Sequence, residues 1–199
     1  MAWVTETGNE ESGRLLGGYA LLQTLVAIRL RSVSDPESAR HLTWLSDIVA
    51  ALSLLGRRMG GVGPVDFHGY LEDAAAFWRK AFTGRTIRLE IRGATPSLPD
   101  SHALPLAIIL HELMANVIRH AFPDGERGSV AVAFSQAPDG VSLVLRDTGI
   151  GANTYSAGEG LSLVEGLVAH LGGVMDVETA PQAGFGVRIR LPINPSAAH

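Results

Sequence analysis

The chain reads as an α+β protein: an N-terminal antiparallel helical hairpin followed by a two-layer α/β sandwich with a mixed sheet. Three observations predict this. Residues 11–32 and 37–59 carry apolar residues at helical spacing on either side of the turn "SVSDPES". "GGVGP" (60–64) then breaks the pattern and marks a domain boundary, giving a hairpin over 1–60 and a sandwich over 64–193. Beyond it the runs alternate as helix, strand, helix, strand, strand, helix, strand, strand, the order of a sheet with helices on one face.

In the first helix Leu15, Leu16, Tyr19, Leu22 and Val26 recur at mostly helical spacing, and in the second Leu42, Leu45, Ile48, Val49, Leu52 and Leu55 do so. Ser34 or Asp35 is placed to cap the second helix, with Pro36 at its first position. Two helices alone cannot bury Leu15, Leu22, Leu45, Leu52 and Leu55 together, so the hairpin is expected to form a homodimer. Residues 66–82 follow as a helix and "TIRLEIRG" (86–93) as a half-buried strand. A helix runs from about Ser101 to Phe122. "SVAVAFS" (129–135) and "VSLVLRD" (141–147) are strands around the turn "QAPDG". A Gly-rich loop (148–160) leads into a helix at 161–171. Two closing strands, "VMDVETA" and "GVRIRLP", meet at a turn around Pro181 and Gly184.

Composition narrows the function classes. Hydrophobic residues make up 46% and charged residues 18% of the 199, enough for a core. The net charge of −4, with no basic run, speaks against nucleic acid as a partner. With no cysteine, disulfides, thiol catalysis and cysteine-held zinc are excluded, and a cytoplasmic location is expected. The polar start "MAWVTETGNEESG" is no signal peptide, and "ALPLAIIL", interrupted by Pro105 and then His111–Glu112, argues against membrane insertion. His111–Glu112 has alanine at 115 where a zinc protease needs histidine.

Three stretches carry chemistry. In "HELMANVIRHAF" (111–122), Glu112, Asn116 and His120 are four residues apart and stack on one helical face. In "RDTGIG" (146–151) an aspartate ends an apolar strand. Asp147 can accept a hydrogen bond from an exocyclic amine, and Gly149 and Gly151 let backbone approach a flat ligand. In "GEGLSLVEGLVAHLGG" (158–173), Gly158 and Gly160 precede a helix whose free N–H groups favour phosphate.

In this order the three resemble the nucleotide-binding module shared by histidine kinases, type II topoisomerases, Hsp90 chaperones and MutL, the GHKL (Bergerat) fold. "HELMANVIRHA" resembles its N box, "DTGIG" its first glycine box, and "GEGLSLVEGLVAHLGG" its second. With a hairpin in front, the chain is most similar to a sensor histidine kinase core of the HisKA_2 or HWE type. The resemblance implies ATP and Mg²⁺ as ligands, with Asn116 holding the Mg²⁺ and Glu112 orienting or deprotonating an attacking group. Arg119 and His120 would lie near the phosphates, Asp147, Gly149 and Gly151 at adenine, and Gly158 and Gly160 at the phosphate end. It further implies a response-regulator receiver domain or other signalling protein as partner.

The sequence departs from the pattern at three places. The loop "ANTYSA" is short for a lid. Phe185 follows Gly184 where the family often has a threonine. No histidine lies between Met1 and Arg40, where "SGRLLGGYALLQTL" puts Gly13 or a neighbour at the phosphoacceptor position. His41, His68, His102, His170 and His199 are poorly placed to substitute. The reading that follows is a degenerate kinase or phosphotransfer-type regulator. An active histidine kinase with an unusual acceptor, an anti-sigma-type serine kinase and a ligand-free interaction module stay open as alternatives.

Overall fold

The computed structural model describes residues 3–59, 64–93, 98–123, 127–137, 140–154 and 158–193, with side chains from residue 16 onward, Ala137 excepted. They form two compact units. The break at 60–63 and the centre of the "QAPDG" turn lie outside the described residues.

One unit comprises the described residues of Met1–Tyr70 and Ser97–Ile108. Its α1 (Trp3–Ser32) and α2 (Pro36–Gly56) make the expected hairpin. α1 starts at Trp3 rather than near residue 11, and no proline interrupts it. Asp35 is the α2 cap: its side chain accepts from Ser38 N–H at 2.8 Å, and that bond holds its carboxyl below the usual range. Across the hairpin, a Cβ on Gly56 would stand 3.3 Å from both Leu16 and Tyr19, so the glycine sets how closely the helices approach. Val26, Ile48, Val49 and Leu55 are buried, whereas Leu21, Leu22, Leu25 and Ile28 of α1 are 61%, 48%, 53% and 59% exposed. Trp44 and Leu45 of α2 are exposed too.

The same unit holds the start of α3 (Phe67–Ala81) and of α4 (Asp100–Asn116). Val65 and Leu98 form an isolated antiparallel bridge, and Tyr70 Oη donates to Ala107 O at 3.3 Å. Burial pushes the Tyr70 phenol far up, so it stays a neutral donor.

The other unit contains the five-stranded sheet, in the order β1-β2-β3-β5-β4. β1 (Ile87–Arg92) runs parallel to β2 (Gly128–Ala137). β2, β3 (Gly140–Asp147), β5 (Phe185–Pro192) and β4 (Val174–Thr179) pair antiparallel in turn. Alternation decides the faces. Val130, Val132, Phe134, Leu143, Leu145, Val187, Ile189 and Leu191 are buried on one side. The opposite side carries cross-strand ion pairs, Arg146 to Glu178 over Gly186 and Arg190 to Asp176 at 2.9 Å. Leu71, Ala74 and Trp78 of α3, Leu110, Leu113 and Met114 of α4, and Leu161, Val164 and Val168 of α5 (Glu159–His170) complete a two-layer α/β sandwich.

Asp100–Ala121 is long and apolar enough, by length and composition alone, to cross a membrane, even with Pro105 and His111–Glu112 inside it. Its window is 61% buried inside the protein, where Leu106, Ile109, Leu110, Leu113 and Met114 serve as core.

Candidate functional site

The polar row of α4 does not run along one regular helix. After Asn116 the helix rewinds into a π-helical turn, Val117–Ala121. Its i→i+5 spacing holds one more residue per turn than an α-helix, a feature that recurs at functional sites. The wider turn brings Val117, His120 and Ala121 to the same cleft as Asn116. Arg119 is exposed and does not line it. Glu112, only 3% exposed, lies one turn back with its Oε2 against Gly160, where any Cβ would collide with it. The absence of a side chain at 160 is thus what gives the Glu112 carboxylate its room.

The cleft holds about 200 Å³. That is below the roughly 300–1,000 Å³ of pockets enclosing whole drug-sized ligands, so it suits a ring rather than a complete nucleotide. Its walls come from Asn116 and the π turn, Asp147 at the end of β3, Gly151, Ala152 and Thr154 of the following loop, Leu161 of α5, Thr179 of β4 and Phe185 of β5. Residues 155–157 of the short loop lie outside the described residues.

Asp147 is its most informative group. Oδ1 accepts from Gly149 N–H at 2.8 Å and Phe185 N–H at 3.3 Å, which fixes the carboxylate in place. Oδ2 is buried and has no hydrogen-bond partner among the described residues. Burial raises the acid's pKa, and the two backbone N–H groups oppose the rise without cancelling it. A buried acceptor without a partner costs free energy unless a ligand supplies the donor.

Glycines shape the wall behind it. A Cβ on Gly149 would strike Ala121 O, and one on Gly184 (φ 77°) would strike Asp147 O. Gly151, at φ 61°, lies against Ala180 O and Gly184 O. Gly158 differs: it caps α5 in an extended conformation with open space around its Cα, so close approach is possible there. Of the residues singled out in the sequence, Asn116, His120, Asp147 and Gly151 therefore meet at the cleft. Gly149 braces it from behind, while Glu112, Arg119, Gly158 and Gly160 stand outside its lining. Val117, Thr154, Leu161 and Thr179 line it without having been singled out. Thr179 is the cross-strand partner of Phe185, which only the strand register reveals.

The cleft fits the adenine ring of a nucleotide on these grounds: an unpaired buried acceptor for an amine, a ring-sized space, and beside it an amide oxygen of Asn116 able to join a mostly hydrated Mg²⁺. Residues 101–195 match the family model described as histidine kinase-, DNA gyrase B-, and HSP90-like ATPase. The sensor histidine kinase PdtaS of Mycobacterium tuberculosis is 31% identical over 120 residues, 57% of this chain and 24% of PdtaS. The C4-dicarboxylate transport sensor protein DctB of Rhizobium meliloti is 27% identical over 189 residues, 81% of this chain and 30% of DctB. The chain thus spans less than a third of the length of these curated relatives. Among solved structures, the histidine kinase domain of the Erythrobacter litoralis EL346 blue-light activated histidine kinase shares the fold. Its TM-score is 0.69 at 21% identity, covering 87% of this chain and 95% of that one. The longer EL346 kinase structure gives 0.71 at 22% identity, over 93% of this chain and 59% of its own.

Proposed function

We propose that this chain is a degenerate, cytoplasmic member of a two-component signalling system, because residues 101–195 match the model of histidine kinase-, DNA gyrase B-, and HSP90-like ATPases and 120 residues resemble a sensor histidine kinase. It binds Mg·ATP in the cleft, pairs with a second copy through its hairpin and engages a response-regulator receiver domain without autophosphorylating on histidine. The observation that carries the nucleotide reading is the buried, unpartnered Oδ2 of Asp147 in a ring-sized cleft.

In this reading Asp147 accepts the adenine amine, and Val117, Leu161 and Phe185 enclose the ring. Asn116 would hold Mg²⁺, whose charge would offset that of the phosphates. His120 and Arg119 would face the phosphates, and Gly158 and Gly160 would let them approach α5. Glu112, enclosed against Gly160, orients the start of α5. Asn116→Ala should abolish the Mg²⁺ dependence of ATP affinity while leaving adenosine affinity unchanged, as read by titration with and without the metal. An unaltered metal effect would move the Mg²⁺ site off Asn116.

The hairpin reading rests on the α1 stripe Leu21, Leu25 and Ile28, spaced i, i+4, i+7, with Leu22 beside it. Fully burying a leucine or isoleucine is worth about 1.5–3 kcal/mol, so these four side chains favour a dimer. Leu22→Glu with Leu25→Glu should give monomers in light scattering. A monomeric wild type would remove the dimer from the account.

A further inference from the structure

One side-chain hydroxyl bridges two backbone segments in the wall of the cleft. Thr179 Oγ1, at the end of β4, accepts from Ala152 N–H at 2.9 Å and donates to Gly184 O at 3.1 Å. It thereby joins the loop after Asp147 to the turn before β5. A second link, Gln182 N–H to Ile150 O at 2.7 Å, lies on the same seam. The seam closes tightly because Gly151 and Gly184 have no side chains to hold it apart. Phe185, next to Gly184, gives its backbone N–H to Asp147 Oδ1. The hydroxyl is therefore connected, through Gly184 and Phe185, to the carboxylate that faces the ligand.

We propose that Thr179 is the positioning residue of the adenine end of this site. It fastens the 151–152 loop to the β4–β5 turn so that Asp147 and Phe185 meet the base in one fixed arrangement. The inference rests on the nucleotide reading and adds a residue to it. The logic is one of replacement across a strand pair. Position 185 offers a phenyl ring and no hydroxyl, and its register partner on β4 supplies one from the adjacent strand. Because that hydroxyl is committed to two backbone groups, it shapes the wall instead of addressing the base.

Thr179→Val keeps the shape and removes the hydroxyl, leaving Ala152 N–H and Gly184 O without their partner; Thr179→Ser keeps the hydroxyl. Adenosine and Mg·ATP affinities of the full chain should both fall on the order of tenfold in Thr179→Val. The two losses should be equal, because the clasp acts on the base and not on the phosphates. Thr179→Ser should stay within about twofold of wild type. Amide hydrogen exchange at Ala152, without nucleotide, should quicken in Thr179→Val and not in Thr179→Ser. Wild-type binding of adenosine with equal affinity in Thr179→Val overturns the clasp alone, as does unchanged exchange at Ala152. A wild type that binds neither adenosine nor Mg·ATP overturns the nucleotide reading itself and the positioning role with it.

Discussion

Asp147→Asn should weaken adenine-nucleotide binding by about tenfold or more and leave the unliganded fold intact. The substitution keeps an oxygen where Gly149 N–H and Phe185 N–H are received, at 2.8 and 3.3 Å, so the backbone around the cleft has no reason to move. What changes is the atom facing the ligand, where an amide nitrogen replaces an anionic oxygen and opposes the adenine amine donor to donor. A hydrogen bond to a charged acceptor is worth about 1.5–3 kcal/mol, and about 1.4 kcal/mol is tenfold in affinity. Acidification should reproduce the loss in wild type. Burial raises the Asp147 pKa, so its charge disappears at a pH above the usual carboxylate value of about 3.9. Wild-type affinity should fall as pH drops through that raised value, and Asp147→Asn should show no such step. Stability runs the other way. With the folded pKa raised, the neutral carboxyl contributes stability that is complete below the unfolded pKa and lost as pH rises through the folded one. Urea melts across that window should show the loss in wild type and not in Asp147→Asn. Equal affinities in titration calorimetry would place the base elsewhere.

Incubated with Mg·ATP alone, the protein should acquire no acid-labile, base-stable phosphate. Phosphorylating an imidazole needs a neutral nitrogen in line with the γ-phosphate and a group to manage its proton. The first hairpin helix offers Ser12, Gly13 and Arg14 where that nucleophile should stand, and no histidine precedes His41. Serine is a weak nucleophile unless a base activates it. His41 on α2 and His68 on α3 are both exposed. A phosphohistidine at either, found by mass spectrometry under base, would contradict the degenerate reading and favour an active kinase. Acid-stable phosphate on a partner protein would favour a serine kinase.

Much of the fold was legible because period and face are written locally. "VSLVLRD" alternates, and Val141, Leu143 and Leu145 are buried in β3 as the alternation places them. The Asp35–Pro36 start of α2 follows from capping chemistry within the segment itself. What escaped was non-local. Glu112, Asn116 and His120 share a helical face by count. Yet Gly160, far along the chain, lies against the first, and a π turn carries the last. No side-chain signature of "VIRHA" announces an i→i+5 bond. Thr179 was invisible for the same reason, since its importance depends on the register that sets it opposite Phe185 and on a loop brought over it. Asp147 was legible as an acceptor at a strand end, but only burial shows that one oxygen is tethered and the other is left for a ligand.

The central claim is that Mg·ATP occupies the Asn116–Asp147 cleft, and a residue-resolved amide titration tests it most directly. With increasing Mg·ATP, the backbone signals of Gly149, Gly151, Ala152 and Phe185 should shift together along one saturable curve. Signals in the basic groove of Arg85, Arg88 and Arg127 at the start of β1 and β2 should stay in place. Cleft signals that do not move at saturating nucleotide, or a saturable shift confined to that groove, would contradict the account.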